Sequence, residues 1–290
     1  IQGNSFAKSL AIDEASEFNS KIENEKKNFK GSELYGKTLG VVGLGAIGSM
    51  VAQSADALGM KLVGYDPYIS IDAAWRLPKE VKKASSIEEL VSSSDFISIH
   101  VPLVDSTKDL ISKDLLEHFK RGSKLINLSR GGIVNNNDVI DALQNDTLSA
   151  FVTDFPSIEL SQRANDSGDV ILLPHIGAST KEAEVNCAVM AAEQVVDFLK
   201  NGNIINSVNF PRIKLSRSTE HRLIVVNKNE PGMIGKIAEF IANKKLNISD
   251  MVNKSRDDIA INLIDLDSEP PKELIESLKE IEHVLSVRVC

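Results

Sequence analysis

Four residues, Arg130, Asp154, Glu159 and His175, each lie just beyond a short apolar run and are of the types that oxidise a 2-hydroxy acid. A guanidinium clamps a carboxylate, and an imidazole backed by a carboxylate takes the hydroxyl proton as hydride leaves. Each also has a plainer reading. Arg130 beside Gly131-Gly132 is a surface cation, Asp154 a helix cap, His175 after Pro174 a loop histidine and Glu159 an exposed loop acid. As a set they point to chemistry, provided that the chain brings them to one edge of a sheet, where ligands of open α/β folds collect.

The elements that would do so begin with Val41-Val42, the end of an apolar run read as a buried strand. Gly43, Gly45 and Gly48 follow as G-x-G-x-x-G, residues 49–58 carry helical spacing, and a second apolar run from Lys61 to Tyr65 stops at Asp66. Strand, glycine turn, helix, strand and acid in that order make a dinucleotide-binding unit. Gly43 permits the tight turn, Gly45 lets backbone approach a pyrophosphate, and Gly48 lets the helix pack close. Free N–H groups at the helix start face the phosphates. Asp66 accepts hydrogen bonds from a ribose diol and repels a 2′-phosphate, and Pro67-Tyr68 supplies no arginine to hold one. The cofactor so read is NAD. Further apolar runs at 95–102, 122–130, 150–154 and 170–174, alternating with helical segments at 112–119, from 137 and at 181–200, predict a doubly wound parallel sheet.

Composition narrows the class. The 290 residues carry a net charge of −8 with no basic block, which argues against nucleic acid and anionic membrane surfaces as partners. No apolar run is long enough to span a bilayer. Cys187 and Cys290 are too few for a disulfide framework or a metal site, so no metal and a reducing cytoplasm are expected. The expected organisation is a polar helical segment at 1–31, a nucleotide domain at 32–180, a closing helix at 181–203, a linker at 204–220 containing Pro211, and a βαββαβ ferredoxin-like unit at 221–290.

The runs GLGAIG…YDPY, HVPL, INLSRGGIV, TDF-x-x-x-E and LLPHIGAST, in this order, resemble the D-2-hydroxyacid dehydrogenase family, and the C-terminal unit is similar to an ACT domain. The resemblance implies that Arg130 holds the substrate carboxylate, that His175 is the acid/base and that Glu159 pairs with it. It implies that Ala46 and Ile47 sit against the pyrophosphate, and that Val101, Pro102, Leu128, Ser129, Asp154, Gly177 and Ala178 line the rest of the cofactor cleft, beside Arg130 and His175. The combination with an ACT-like module implies 3-phosphoglycerate as substrate, oxidised to 3-phosphohydroxypyruvate at the entry to serine synthesis. The rivals are another D-2-hydroxyacid dehydrogenase and a non-catalytic NAD-sensing protein. Asn227, Asn229, Gly232 and Asn247 would hold an amino-acid effector such as serine across paired modules, against the plainer reading of a module used only in assembly. A homo-oligomer is expected.

Two departures stand out. The family's fourth motif usually reads Asp, an apolar residue, then Phe-Pro-x-Glu-Pro, whereas this chain has Asp154-Phe-Pro-Ser-Ile-Glu159-Leu. The N-terminal half-domain that completes the substrate cleft is not in the sequence, so 1–31 is expected to be its remnant, and NAD binding with weak or no turnover is expected of this chain alone.

Overall fold

The computed structural model describes residues 2–10, 14–69, 71–207 and 209–290, so Ile1 and 11–13 of the N-terminal segment and Val208 of the expected linker lie outside the description. The chain divides into two units, residues 1–177 and 178–290.

The first unit opens with α1 (Gln2–Ser9), α2 (Ala15–Glu25) and a 3-10 turn at Lys26–Phe29. The nucleotide fold proper runs β1 (Thr38–Val42), α3 (Ala46–Ala57), β2 (Lys61–Tyr65), α4 (Ile71–Ala74), β3 (Lys82–Lys83), α5 (Ile87–Ser93) and β4 (Phe96–Ile99). It continues with α6 (Lys113–Leu116), β5 (Ser123–Asn127), α7 (Asn136–Gln144), β6 (Leu148–Thr153), α8 (Ile158–Asp166) and β7 (Val170–Leu172). The seven strands form one sheet in the order β3-β2-β1-β4-β5-β6-β7, every pair parallel. Strand order reverses across β1, which has β2 on one side and β4 on the other. The crevice beyond the carboxyl ends of β1 and β4 is therefore the topological switch point.

Alternate side chains of β1 feed the two faces of that sheet. Leu39 and Val41 pack with Ala52 and Ala55 of α3, whereas Val42 packs with Ile97, Ile99 and Leu125. Each large aliphatic so buried contributes about 1.5–3 kcal/mol. Helix α8 stands where the sequence reads a loop around Glu159. Its only buried residue is Leu160, and the Ser157 hydroxyl caps it by accepting from the Leu160 amide.

The second unit holds α9 (Lys181–Asn201), β8 (His221–Lys228), α10 (Met233–Asn243), β9 (Ile248–Arg256), β10 (Ile259–Leu266), α11 (Lys272–Lys279) and β11 (Val284–Val289). Its four strands are antiparallel in the order β11-β8-β10-β9, which with the βαββαβ sequence is a ferredoxin-like sheet. Leu223, Val225, Ile264 and Leu266 pack with Ile237, Ile241, Leu274 and Leu278 of the two covering helices.

Two segments differ from the sequence expectation. Helix α9, expected to close the nucleotide domain, is grouped with the second unit. The Arg288 guanidinium lies 4.6 Å from the Phe198 ring centre and donates to the Phe198 and Leu199 carbonyls at 2.6 and 3.3 Å. The stretch expected as a linker is folded onto the sheet as well. Ile204 and Ile213 form an antiparallel bridge and pack with Ile224, Ile261 and Leu263.

Candidate active site

Because all seven strands of the first unit are parallel, the residues that follow them share one edge. Gly43 follows β1, Asp66 follows β2, Val101 and Pro102 follow β4, Arg130 follows β5, Asp154 follows β6 and His175 follows β7. The geometry of the glycine turn explains its composition. Gly43 has φ +89°, and a Cβ there would stand 2.7 Å from the His100 carbonyl oxygen. A Cβ at Gly48 would stand 2.0 Å from the Gly43 carbonyl oxygen, which is backbone and cannot yield. At Gly45 nothing lies within 4 Å of that position, so the backbone is open to an approaching phosphate. Helix α3 starts at Ala46, three residues before the helical spacing predicts, and Ala46 and Ile47 therefore occupy its first turn with their N–H groups unspent by the helix. The Asp66 carboxylate accepts from the Leu44 amide at 2.8 Å and from the Tyr68 amide at 2.9 Å. These bonds hold the acid beside the turn.

The residues present fit a dinucleotide on one further observation. Asp154 is 3% exposed, and its Oδ1 has no hydrogen-bond partner among the described residues. A buried carboxylate oxygen left unpaired is costly unless a ligand donates to it. Asp154 is not the helix cap of the plainer reading, since Ser157 caps α8.

Arg130 is exposed on a loop that Asn127 pins from beneath. The Asn127 amide donates to the Arg130 carbonyl at 3.0 Å, and its oxygen accepts from the Ser129 amide at 3.2 Å. The Arg130 guanidinium donates to the Ser129 carbonyl at 2.7 Å. The Ser129 hydroxyl donates to the Val101 carbonyl at 3.1 Å, which ties this loop to the end of β4. Leu128 is exposed at the start of the same loop.

His175 is exposed, with φ +44°, and its amide donates to the Asp154 carbonyl at 3.0 Å. Its ring lies 4.8 Å from that of Phe155, tilted by 49°. Phe155 also abuts Gly131, where a Cβ would stand 3.4 Å from the Phe155 ring. One aromatic thus packs between the Arg130 loop and His175. Asn127 and Phe155 were not singled out by sequence; the cue was an asparagine at a strand end and an aromatic directly after Asp154.

The pairing of Glu159 with His175 that the resemblance implies is not formed among the described residues. Glu159 lies in the first turn of α8, where its own amide N–H and the Ser157 hydroxyl hold its carboxyl below the usual carboxylate range. Glu159 sits at the positive end of α8, and the helix terminus competes for its carboxylate. Gly177 ends the first unit and Ala178 (φ +57°) begins the second.

These observations meet a direct comparison. Residues 7–177 match the family model for the D-isomer specific 2-hydroxyacid dehydrogenase NAD binding domain. The chain belongs to that family. The chain is 39% identical to a D-3-phosphoglycerate dehydrogenase of Bacillus subtilis over 63% of its own length and 35% of that protein. It is 32% identical to a D-3-phosphoglycerate dehydrogenase of Dictyostelium discoideum over 96% of its length and 68% of that relative. An NAD+-bound 3-phosphoglycerate dehydrogenase from Entamoeba histolytica superimposes with a TM-score of 0.54 at 31% identity, covering 65% of this chain and 61% of that one. The chain spans from about a third to about two thirds of the curated relatives it matches.

In the second unit the four expected effector residues are not equally placed. Asn229, Gly232 (φ +86°, at the start of α10) and Asn247 are exposed. Asn227 is 2% exposed, donates to the Lys228 carbonyl at 2.6 Å and accepts from the Asn262 amide at 2.8 Å. Asn262, fully buried, accepts in turn from Asn253 at 2.8 Å, so three asparagines form a ladder across β8, β10 and β9. A cavity of about 450 Å³ in this unit lies elsewhere, among Val195, Phe198, Phe210, Ile224 and Ile261, and includes none of the four. No helix among the described residues is long and apolar enough to cross a membrane.

Proposed function

We propose that the chain serves the NAD-dependent oxidation of 3-phosphoglycerate to 3-phosphohydroxypyruvate, the entry step of serine synthesis, in a cytoplasmic homo-oligomer. The observation that carries the reading is that an NAD cradle, an arginine on a pinned loop and a histidine leave the same edge of one parallel sheet. Bound NAD supplies the hydride acceptor. Arg130 clamps the substrate carboxylate with two parallel N–H donors, a geometry that a lysine does not offer. The His175 imidazole takes the C2 hydroxyl proton and returns it in the reverse direction. Glu159 reaches His175 only by leaving the terminus of α8, so its role as partner belongs to the closed, substrate-bound cleft. Asn229, Gly232 and Asn247 present polar groups and open backbone to an amino-acid effector such as serine, with Asn227 behind them.

A second reading keeps the scaffold without turnover, as an NAD-sensing protein. The unformed Glu159–His175 pair favours it. The test is NADH formation with 3-phosphoglycerate by the longest reading frame that contains this chain, with a His175→Asn control and parallel NAD binding. Product that disappears in the control supports the enzyme. Tight NAD binding without product from any small 2-hydroxy acid brings the sensor forward, and product from another acid alone changes the substrate.

A further inference from the structure

His100 is a part-buried imidazole that the proposed chemistry does not use. It lies just past β4, at the switch point, on the same side of the strand as Ser98. Its Nε2 shares a 2.8 Å hydrogen bond with the Ser98 hydroxyl, and Ser98 is 5% exposed. Burial pushes its pKa down, so the ring is neutral near neutral pH.

Its neighbours are the two halves of the site. The His100 amide donates to the Val42 carbonyl at 2.7 Å, directly before the glycine turn. Its carbonyl stands 2.7 Å from where a Gly43 Cβ would be, and its own Cβ stands 3.4 Å from where a Gly48 Cβ would be. The turn and the start of α3 therefore rest on the backbone and Cβ of this residue with no room to sink closer, and the imidazole acts on them only by anchoring that backbone through Ser98. The next carbonyl, that of Val101, accepts the Ser129 hydroxyl bond that fixes the Arg130 loop.

We propose that His100, locked by Ser98, is a positioning residue that sets the glycine turn and the start of α3 at their working height for the dinucleotide's pyrophosphate, in register with the Arg130 loop. At position 100 a side chain that fills the space but cannot bond to Ser98 is free to rotate, and the backbone under the turn loses its anchor. Loss of that register falls most heavily on ligands that carry the pyrophosphate, the adenosine end being touched only through Asp66, which is bonded to Leu44 of the turn.

The experiment compares NAD, ADP-ribose and adenosine binding by calorimetry to the full chain and to His100→Leu, His100→Gln and Ser98→Ala, with circular dichroism as the folding control. Glutamine places an amide nitrogen near the Nε2 position and keeps the bond to Ser98. His100→Leu is expected to weaken NAD and ADP-ribose about tenfold, equivalent to about 1.4 kcal/mol, with adenosine weakened far less. His100→Gln is expected to recover most of that loss, and Ser98→Ala to fall between. Equal weakening of all three ligands, unchanged NAD affinity in a folded His100→Leu chain, or a glutamine variant as weak as leucine overturns the proposal. If His100→Leu does not fold, Ser98→Ala decides alone, because it removes only a hydroxyl: unchanged NAD affinity there also overturns it.

Discussion

Replacing Asp265 by asparagine should uncouple the second unit's tie between sheet and preceding segments. Arg222 and Asp265 are both fully buried. The Arg222 Nε and one terminal nitrogen donate to the two Asp265 oxygens at 2.6 and 2.9 Å, and the other terminal nitrogen donates to the Asn201 and Leu215 carbonyls at 3.0 and 2.8 Å. Asp265 also accepts from the Ser218 amide at 2.8 Å and hydroxyl at 3.0 Å. One ion pair thus holds the end of α9 and the segment after it against β8 and β10. Asp265→Asn leaves a guanidinium buried without a countercharge, which costs about 3–5 kcal/mol. Against an ordinary stability of about 5–15 kcal/mol that is a large fraction. Equilibrium urea unfolding followed by circular dichroism should show an early transition that the unsubstituted chain lacks. The double variant Arg222→Met with Asp265→Leu should recover most of the loss, because neither charge is then stranded. A cost below about 1 kcal/mol, the size of an exposed pair, or a double variant as weak as the single, would refute the reasoning. The pH dependence has a fixed sign. Burial raises the Asp265 pKa, but bonds from Arg222 and Ser218 outweigh it and hold the carboxyl below its ordinary value. The stabilisation is therefore complete above about pH 4 and is lost as pH falls through the lower folded value.

Other outcomes follow from the same geometry. Gly48→Ala drives a methyl into the Gly43 carbonyl, so stability should fall by about 1–3 kcal/mol and NAD affinity by at least about tenfold; normal NAD binding by calorimetry would contradict the packing argument. Asp154→Ala removes a buried oxygen that has no partner, so the thermal midpoint without ligand should hold or rise while NAD affinity drops about tenfold. A variant that melts earlier yet binds NAD normally would assign Asp154 to structure instead. Asn262→Leu strands the Asn227 oxygen and the Asn253 amide, and urea unfolding should register a loss of about 1–3 kcal/mol; an unchanged or higher midpoint would mean that the ladder contributes nothing.

How much was legible depended on whether a signal was local. Both sheets were readable, because apolar runs bounded by turn residues mark strands and the glycine pattern marks one specific turn. The helix at Ile158–Asp166 was not, since it is short and polar and buries a single leucine, although Ser157 carried a cap signal. The fate of Glu159 turned on that helix. Its distance from Asp154 matches the family motif, but a helix terminus takes the carboxylate first. Residues 204–220 read as a polar linker by composition, yet Ile204, Phe210, Ile213 and Leu215 pack against the sheet's second face.

By itself the sequence determined the parallel nucleotide sheet, the cofactor class and the placement of Arg130, Asp154 and His175 at strand ends, because strand periodicity and backbone geometry at glycine are properties of a few adjacent residues. Only the tertiary structure decided which groups meet. It left Asp154 with an unpaired oxygen, set Phe155 between Gly131 and His175, kept Glu159 from His175, buried Asn227 in an amide ladder and closed Arg222 on Asp265. Such pairings join residues far apart in the chain, and their energies depend on burial and direction, which spacing along a sequence does not encode.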